Sequence, residues 1–373
     1  MSAPALSGPP VSAPTPGPSR YPPTPGLASS RSSTAKALGR GRRRRTRRYA
    51  VALVLLAVVL VVAFGASLML GQRNYILGQV ISVIVGEQVP GASYTVGRLR
   101  LPRAVLAVLA GAAFGLGGVT FQTMLRNPLA SPDIIGITSG ASAAAVYALV
   151  ILHLAPSTAS VLAIVAALAT ALLILGLSGK GSVQGTKLIL IGIGVSAMLH
   201  SVVSWVIIKA AEWDLQTAMR WLNGSVNGAT WSRLMPLLIA SAILMPVLVW
   251  QGRSLSLLEH GDDYAIALGV DVPRTRMVAI VAAVVLLAFA TAAAGPIAFV
   301  SFLAGPIAAR IVGPGRQLMV PAMLVGAALT LVADFAGQYA FGARYPVGVI
   351  TGILGAPYLL YLLIRTNRAG GSL

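Results

Sequence analysis

The chain has 373 residues, 56% of them hydrophobic and only 10% charged, with a mean hydropathy of +0.83. That balance excludes an ordinary soluble globular protein and marks a polytopic membrane protein. There is no cysteine, which excludes disulfides and thiolate metal sites, and the formal charge of +19 is concentrated in the first fifty positions.

Residues 1–48 are rich in Pro, Ser, Ala and Gly and end in the run GRGRRRRTRR. They bury too little apolar surface to offset the entropy of ordering, so a disordered basic tail is expected. Directly before an apolar span, such an arginine cluster is held in the cytoplasm by the positive-inside rule and attracts anionic lipid. Nucleic-acid binding is the other reading of a basic run, and no nucleic-acid partner is expected here. A cleaved export signal is rejected, because Tyr49–Leu70 is long enough to span and no small-residue cleavage motif ends it.

Residues 49–365 read as one transmembrane domain of about ten helices. After the first span, a short apolar run between Gln72 and Arg98 suits the membrane interface. Spans are expected at Arg103–Gln122, Asp133–Leu152, Pro156–Leu177 and Leu188–Ile208, the last pair separated by a basic turn at Lys180 and Lys187. A loop carrying Trp213, Trp221 and Trp231 follows, of the kind that settles at headgroup level. Leu234–Trp250 is the sixth span. The longest internal polar segment, 251–276, then alternates apolar residues with acids, as short amphipathic helices joined by glycines do. Met277–Ala294, the shorter Ile297–Ile311, Pro321–Phe341 and Pro346–Ile364 complete the set, leaving 366–373 as a short tail. The excess of Lys and Arg in the first tail puts both termini in the cytoplasm and the tryptophan loop outside.

No phosphate-binding GxxxxGK[ST], HExxH or GxSxG sequence is present, and His153, His200 and His260 are scattered. No catalytic residue, metal site or cofactor is expected, and energy for any transport must come from elsewhere.

The stretch Arg98–Ala141 is the most legible: RLPR, an apolar helix with Gly111, Gly115, Gly117 and Gly118, then FQ, RNPLASPDIIGI and a following GA. Pro102 stands where a helix accepts proline, and Ser131, Pro132 and Asp133 fall in the order N-cap, first position and acidic first turn. This run closely resembles the signature of the iron-siderophore and cobalamin uptake permeases, the membrane subunits of type II ABC importers. The resemblance covers roughly residues 50 to 365.

It implies an all-α architecture in which spans two to five and seven to ten are inverted repeats. It also implies a multi-pass subunit of the cell membrane, set in the lipid bilayer and forming half of a translocation pore. The implied partners are a second permease subunit, two ATP-binding subunits and an extracytoplasmic siderophore-binding protein. Segment 251–276 aligns with the family's coupling helices that dock on the ATPases, at Leu258, Glu259, Asp262, Asp263, Ala265, Leu268 and Gly269; a solvated loop is the bland alternative. Arg100 and Arg103 match positions that present charge to acidic residues of the binding protein, although headgroup anchoring would place them there too. Arg344 stands where a glutamate is common and would move that positive charge to a new place. Asp334 and Gln338, one helical turn apart, are candidates for the translocation path or for a structural hydrogen bond between helices.

Two departures bear on substrate. Gln338 replaces an arginine of the cobalamin permease, and Pro306, Ile307 and Arg310 resemble the partner-type permease of catecholate siderophore systems. A ferric siderophore importer built as a heterodimer is therefore expected, with cobalamin or haem import behind it. A secondary transporter would need ion-coupling groups beyond Asp334, and a scaffold would leave 251–276 without a task.

Overall fold

Prolines, glycines and capping side chains decide where the helices begin and end. The computed structural model describes residues 27–179 and 185–368, and the chain divides into two units, Met1–Arg47 and Arg48–Leu373. Helix α1 (Leu27–Met69) begins within the basic stretch 1–48 and continues into the first apolar span. Ala, Leu, Arg and Lys are strong helix formers, and low hydrophobicity forbids a packed core without forbidding a solvated helix. Residues 1–26, 369–373 and the turn at Lys180 lie outside the described residues.

Helix α2 (Leu77–Val85) occupies the short apolar run between Gln72 and Arg98 and exposes Leu77, Ile81, Ile84 and Val85. A π-helical turn, Ser93–Arg100, continues directly into α3 (Leu101–Met124), so the second span starts well before Arg103. Pro102 lies in the first turn of α3, where its missing N–H costs nothing. Ser131 caps a 3₁₀ turn, Pro132–Ile135, by accepting from the Asp133 N–H at 3.4 Å. Gly136, at φ 72°, then breaks the chain before α4 (Ile137–Val150), which makes the third span shorter than Asp133–Leu152.

Helices α5 (Pro156–Ser178) and α6 (Gly185–Lys209) follow. The tryptophan loop is not irregular: it holds α7 (Glu212–Leu222), whose Glu212 and Asp214 at the start and Arg220 at the end complement the helix dipole. Helix α8 (Trp231–Leu258) runs past Trp250 into the segment expected as a separate amphipathic helix, which leaves only α9 (Asp262–Ala267) as an independent piece. Asp271 caps α10 (Val272–Ala294) by accepting from the Arg274 N–H at 3.1 Å. Gly295 and Pro296 stop it, and Phe299, in the left-handed region at φ 64°, starts α11 (Val300–Val312). Helices α12 (Met319–Tyr339) and α13 (Val347–Arg368) complete the bundle.

Among the described residues, seven helices are long and apolar enough to cross a membrane and three shorter apolar ones accompany them, which accounts for every expected span. The core is α3, α10 and α12, with 83%, 72% and 56% of their apolar windows buried. The windows of α1, α5, α6 and α8 are only 11–28% buried and present Val and Leu outward, as lipid-facing helices do. Helix α3 is at the centre, packed against α8, α10, α11 and α12. Its glycines permit this: a Cβ on Gly111 would collide with the Gly326 carbonyl and one on Gly118 with the Ser301 carbonyl.

Candidate functional site

Each end of α3 carries an arginine that reaches a carboxylate from a distant part of the chain. At its start, Arg103 donates from Nε and Nη2 to the two oxygens of Asp334 on α12, at 2.9 and 2.8 Å. This is the bidentate fork that makes Arg–carboxylate pairs directional. Nη1 donates to Asn227 Oδ1 at 3.0 Å, and Gln338 Nε2 donates to Asp334 Oδ2 at 2.8 Å. The side chains of Arg103 and Asp334 are 17% and 5% exposed, so the pair is largely removed from water. Arg103, Asp334 and Gln338, assigned to two separate tasks from sequence, form a single hydrogen-bonded cluster.

Arg100 is engaged as well. Its Nη1 and Nη2 donate to the carbonyls of Leu68 and Arg73 at 2.8 and 2.7 Å, and its guanidinium lies 5.2 Å from the Tyr75 ring centroid. It fastens the start of α3 to the connection between α1 and α2. Of the three arginines expected to face a binding protein, Arg344 is the exposed one, on the loop between α12 and α13. It borders a cavity of about 410 Å³ together with Arg103, Arg220, Arg233, Trp221 and Asn227.

At the other end of α3, Arg126 sits just past the helix at φ 51°. Its Nε donates to the Leu258 carbonyl at 2.7 Å, closing the end of α8, and its Nη2 pairs with Asp262 Oδ1. Arg276 Nη2 donates to the same oxygen at 2.8 Å. Asp262 therefore ties α9 to α3 and α10, and its carboxylate is occupied within the chain. Leu258 and Ala265 are buried beneath it. Glu259, Asp263, Leu268 and Gly269 are exposed, with Tyr264 and Ile266 beside them. Although Glu259 keeps an open surface, desolvation by the protein around its carboxyl pushes it above the usual carboxylate range, with Thr123 and His260 acting in the opposite sense. The outward surface of segment 251–276 is thus a small acidic and apolar face on a well-anchored turn. Arg310, noted for its resemblance to partner-type permeases, stacks on Tyr358 and Tyr361 of α13 at 5.4 and 5.0 Å.

Comparison with known proteins gives this geometry a family. A model of the FecCD transport family matches residues 34–365. The chain belongs to this family. It is 40% identical over 316 residues to the ferric enterobactin transport system permease protein of Escherichia coli, covering 83% of this chain and 94% of that one. It is 38% identical to the achromobactin transport system permease protein of Dickeya dadantii, over 84% and 91% of the two chains. The vitamin B12 import system permease protein of Vibrio vulnificus is 34% identical, over 73% and 83%. A solved structure described as an inward-facing conformation of a metal-chelate type ABC transporter superposes with a TM-score of 0.76 at 28% identity, covering 85% of this chain and all of that one. The protein is accordingly an all-helical, multi-pass membrane permease of the FecCD family, and not itself an ATPase.

Sequence reasoning missed Asn227, Arg126 and Arg276 as partners. Arg126 lies inside the signature stretch, and an arginine just past an apolar helix is a visible signal for a capping or pairing role. Tyr264 and Ile266 lie in the same polar segment, 251–276, but carried no motif.

Proposed function

We propose that this chain forms one half of the translocation pore of an ATP-driven importer for a ferric siderophore. The observation that carries the reading is the 40% identity with the ferric enterobactin permease across 94% of that protein. The partners in this reading are a second permease subunit, two ATP-binding subunits and an extracytoplasmic binding protein. Arg344 meets the binding protein. The exposed face made by Asp263, Tyr264, Ile266 and Leu268 meets an ATP-binding subunit, with Asp262 holding that face in place. The pattern Pro306, Ile307, Arg310 favours a heterodimer, and the terminal basic tail favours cytoplasmic termini. The 34% identity with a vitamin B12 permease makes cobalamin the second substrate reading.

In this mechanism the α3 helix is gripped at both ends by arginine–carboxylate clusters, so movement of the coupling segment reaches the Arg103 end through a buried rod. The test is uptake of radiolabelled iron from a panel of ferric siderophores, beside labelled cobalamin, in cells with and without the chain. Loss of uptake of one siderophore, restored by the intact chain, is expected. Asp263→Lys, which leaves the Asp262 cluster intact, is expected to lower restored uptake at least about fivefold, the low end of coupling between linked sites. Lost cobalamin uptake with unchanged iron uptake would transfer the assignment to cobalamin.

A further inference from the structure

A recess of about 790 Å³ opens between α8 and α10, the two helices that flank the short α9. Trp250, Arg253 and Ser254 border it from α8, Arg274 and Val278 from α10, and Gln317 from the turn before α12. No carboxylate lines it. Arg253 and Arg274 are exposed and make no ion pair among the described residues, whereas Arg276 is engaged by Asp262. Asp271, the acid nearest to Arg274 in sequence, accepts from the Arg274 main-chain N–H at 3.1 Å and caps α10. Gln317 Nε2 donates to the Val249 carbonyl at 2.9 Å, which fixes that wall of the recess.

Both helices change character here. On α8, Ile239, Ile243, Pro246 and Trp250 share one face by their spacing, and all are exposed, Trp250 at 81%. Arg253 follows about 4.5 Å further along the axis. On α10 the order is mirrored: Arg274 comes first, and the exposed Met277 and Val281 follow. Two separate segments thus set one boundary, with guanidinium groups and a tryptophan at the mouth and exposed apolar stripes running from it into the spans. Tryptophan at such a boundary sits at headgroup level.

We infer that this recess is the headgroup site of an anionic phospholipid whose acyl chains lie along α8 and α10. A soluble subunit could pair with the arginines, but it cannot cover Ile243 and Val281, which lie inside membrane spans. A phospholipid does both: its phosphate meets the guanidinium groups and its chains meet the apolar stripes. Two unpaired cations with no acid beside them favour a headgroup of net negative charge over a zwitterionic one. The inference needs only the membrane-spanning fold; the importer reading above adds that the leaflet is the cytoplasmic one.

The experiment reconstitutes the assembled transporter in phosphatidylcholine vesicles containing a small fraction of lipid with brominated acyl chains, either phosphatidylglycerol or phosphatidylcholine. The part of the fluorescence quenching that disappears in Trp250→Phe reports lipid at the recess. Brominated phosphatidylglycerol is expected to reach half-quenching of Trp250 at a mole fraction at least about fivefold lower than brominated phosphatidylcholine, the selectivity one arginine gives at a membrane surface. Arg253→Gln and Arg274→Gln should each reduce that preference at least about threefold. The double variant should abolish it, and Arg253→Lys should keep it. Both side chains are exposed, so these variants are expected to accumulate normally. Raising salt to molar levels should shrink the preference. Equal quenching by the two lipids would overturn the headgroup site. Loss of the preference on changing Arg42, Arg43, Arg44 and Arg45 to Gln, with Arg253 and Arg274 intact, would overturn it and assign the attraction to the basic run. Competition by millimolar glycerol phosphate would overturn it in favour of a soluble phosphate ester. Quenching by neither lipid would overturn it and place a protein partner over Trp250. The siderophore and cobalamin uptake assay reads none of these signals, so the importer reading stands or falls separately.

Discussion

Asp334 accepts hydrogen bonds from Arg103 and Gln338 while only 5% of its side chain is exposed. Removing one member of such a pair leaves an uncompensated charge in a low-dielectric site, which costs far more than the pair itself contributes. Asp334→Asn is expected to destabilise the protein by about 3 kcal/mol, read as a lowered melting temperature in detergent. Asp262 makes two arginine contacts but its side chain is 40% exposed, so water screens the loss. Asp262→Asn is expected to cost no more than about 1 kcal/mol. A larger loss at Asp262 than at Asp334 would contradict this ranking. Both acids stand out in the sequence, one because it lies in an apolar span, the other because it starts a short polar helix. Their partners do not stand out, because a hydrogen bond to an arginine 231 positions away has no periodic signature.

At the scale of the element, the seam between α3 and α12 decides the core. A Cβ on Gly111 would meet the Gly326 carbonyl, and a Cβ on Gly326 would meet the Gly111 carbonyl. Backbone atoms cannot rotate aside as a side-chain tip can. Gly111→Val and Gly326→Val are therefore each expected to cost at least about 2 kcal/mol through overpacking. At Gly194 on α6 a methyl group would meet no atom within 4 Å, so Gly194→Ala is expected to gain about 0.5 kcal/mol from chain entropy alone. Thermal melting of the three variants side by side separates seam glycines from permissive ones. The order long, short, long, long also recurs: α3, α4, α5, α6 have 24, 14, 23 and 25 residues, and α10, α11, α12, α13 have 23, 13, 21 and 22. In both sets the short helix follows a break with a positive φ, at Gly136 and at Phe299. This order supports the repeat relation that the family resemblance implies.

For the whole molecule, the two arginine–carboxylate clusters lie at opposite ends of a helix of 24 residues, about 36 Å long at the standard rise, enough to cross the hydrocarbon core. One end must then face each side of the membrane. The absence of native cysteine makes the assignment directly testable by single-cysteine labelling. With an impermeant maleimide, Arg344→Cys is expected to label in intact spheroplasts and Asp263→Cys only after the membrane is opened. The reverse pattern would invert the topology and exchange the docking surfaces at the two ends.

The sequence by itself determined that this is a helical membrane protein, that it holds about ten apolar spans in this order, though not where several of them end, and which family signature it carries. Those properties follow from apolar run length, from proline and glycine breaks, and from local residue order, all of which act over a few turns of chain. Tertiary structure alone decided that Arg103, Asn227, Asp334 and Gln338 are one cluster, that Asp262 is a tether, and that four arginines share a cavity. These depend on which helix face packs against which, and that is settled by close approach of small residues between helices remote in the chain.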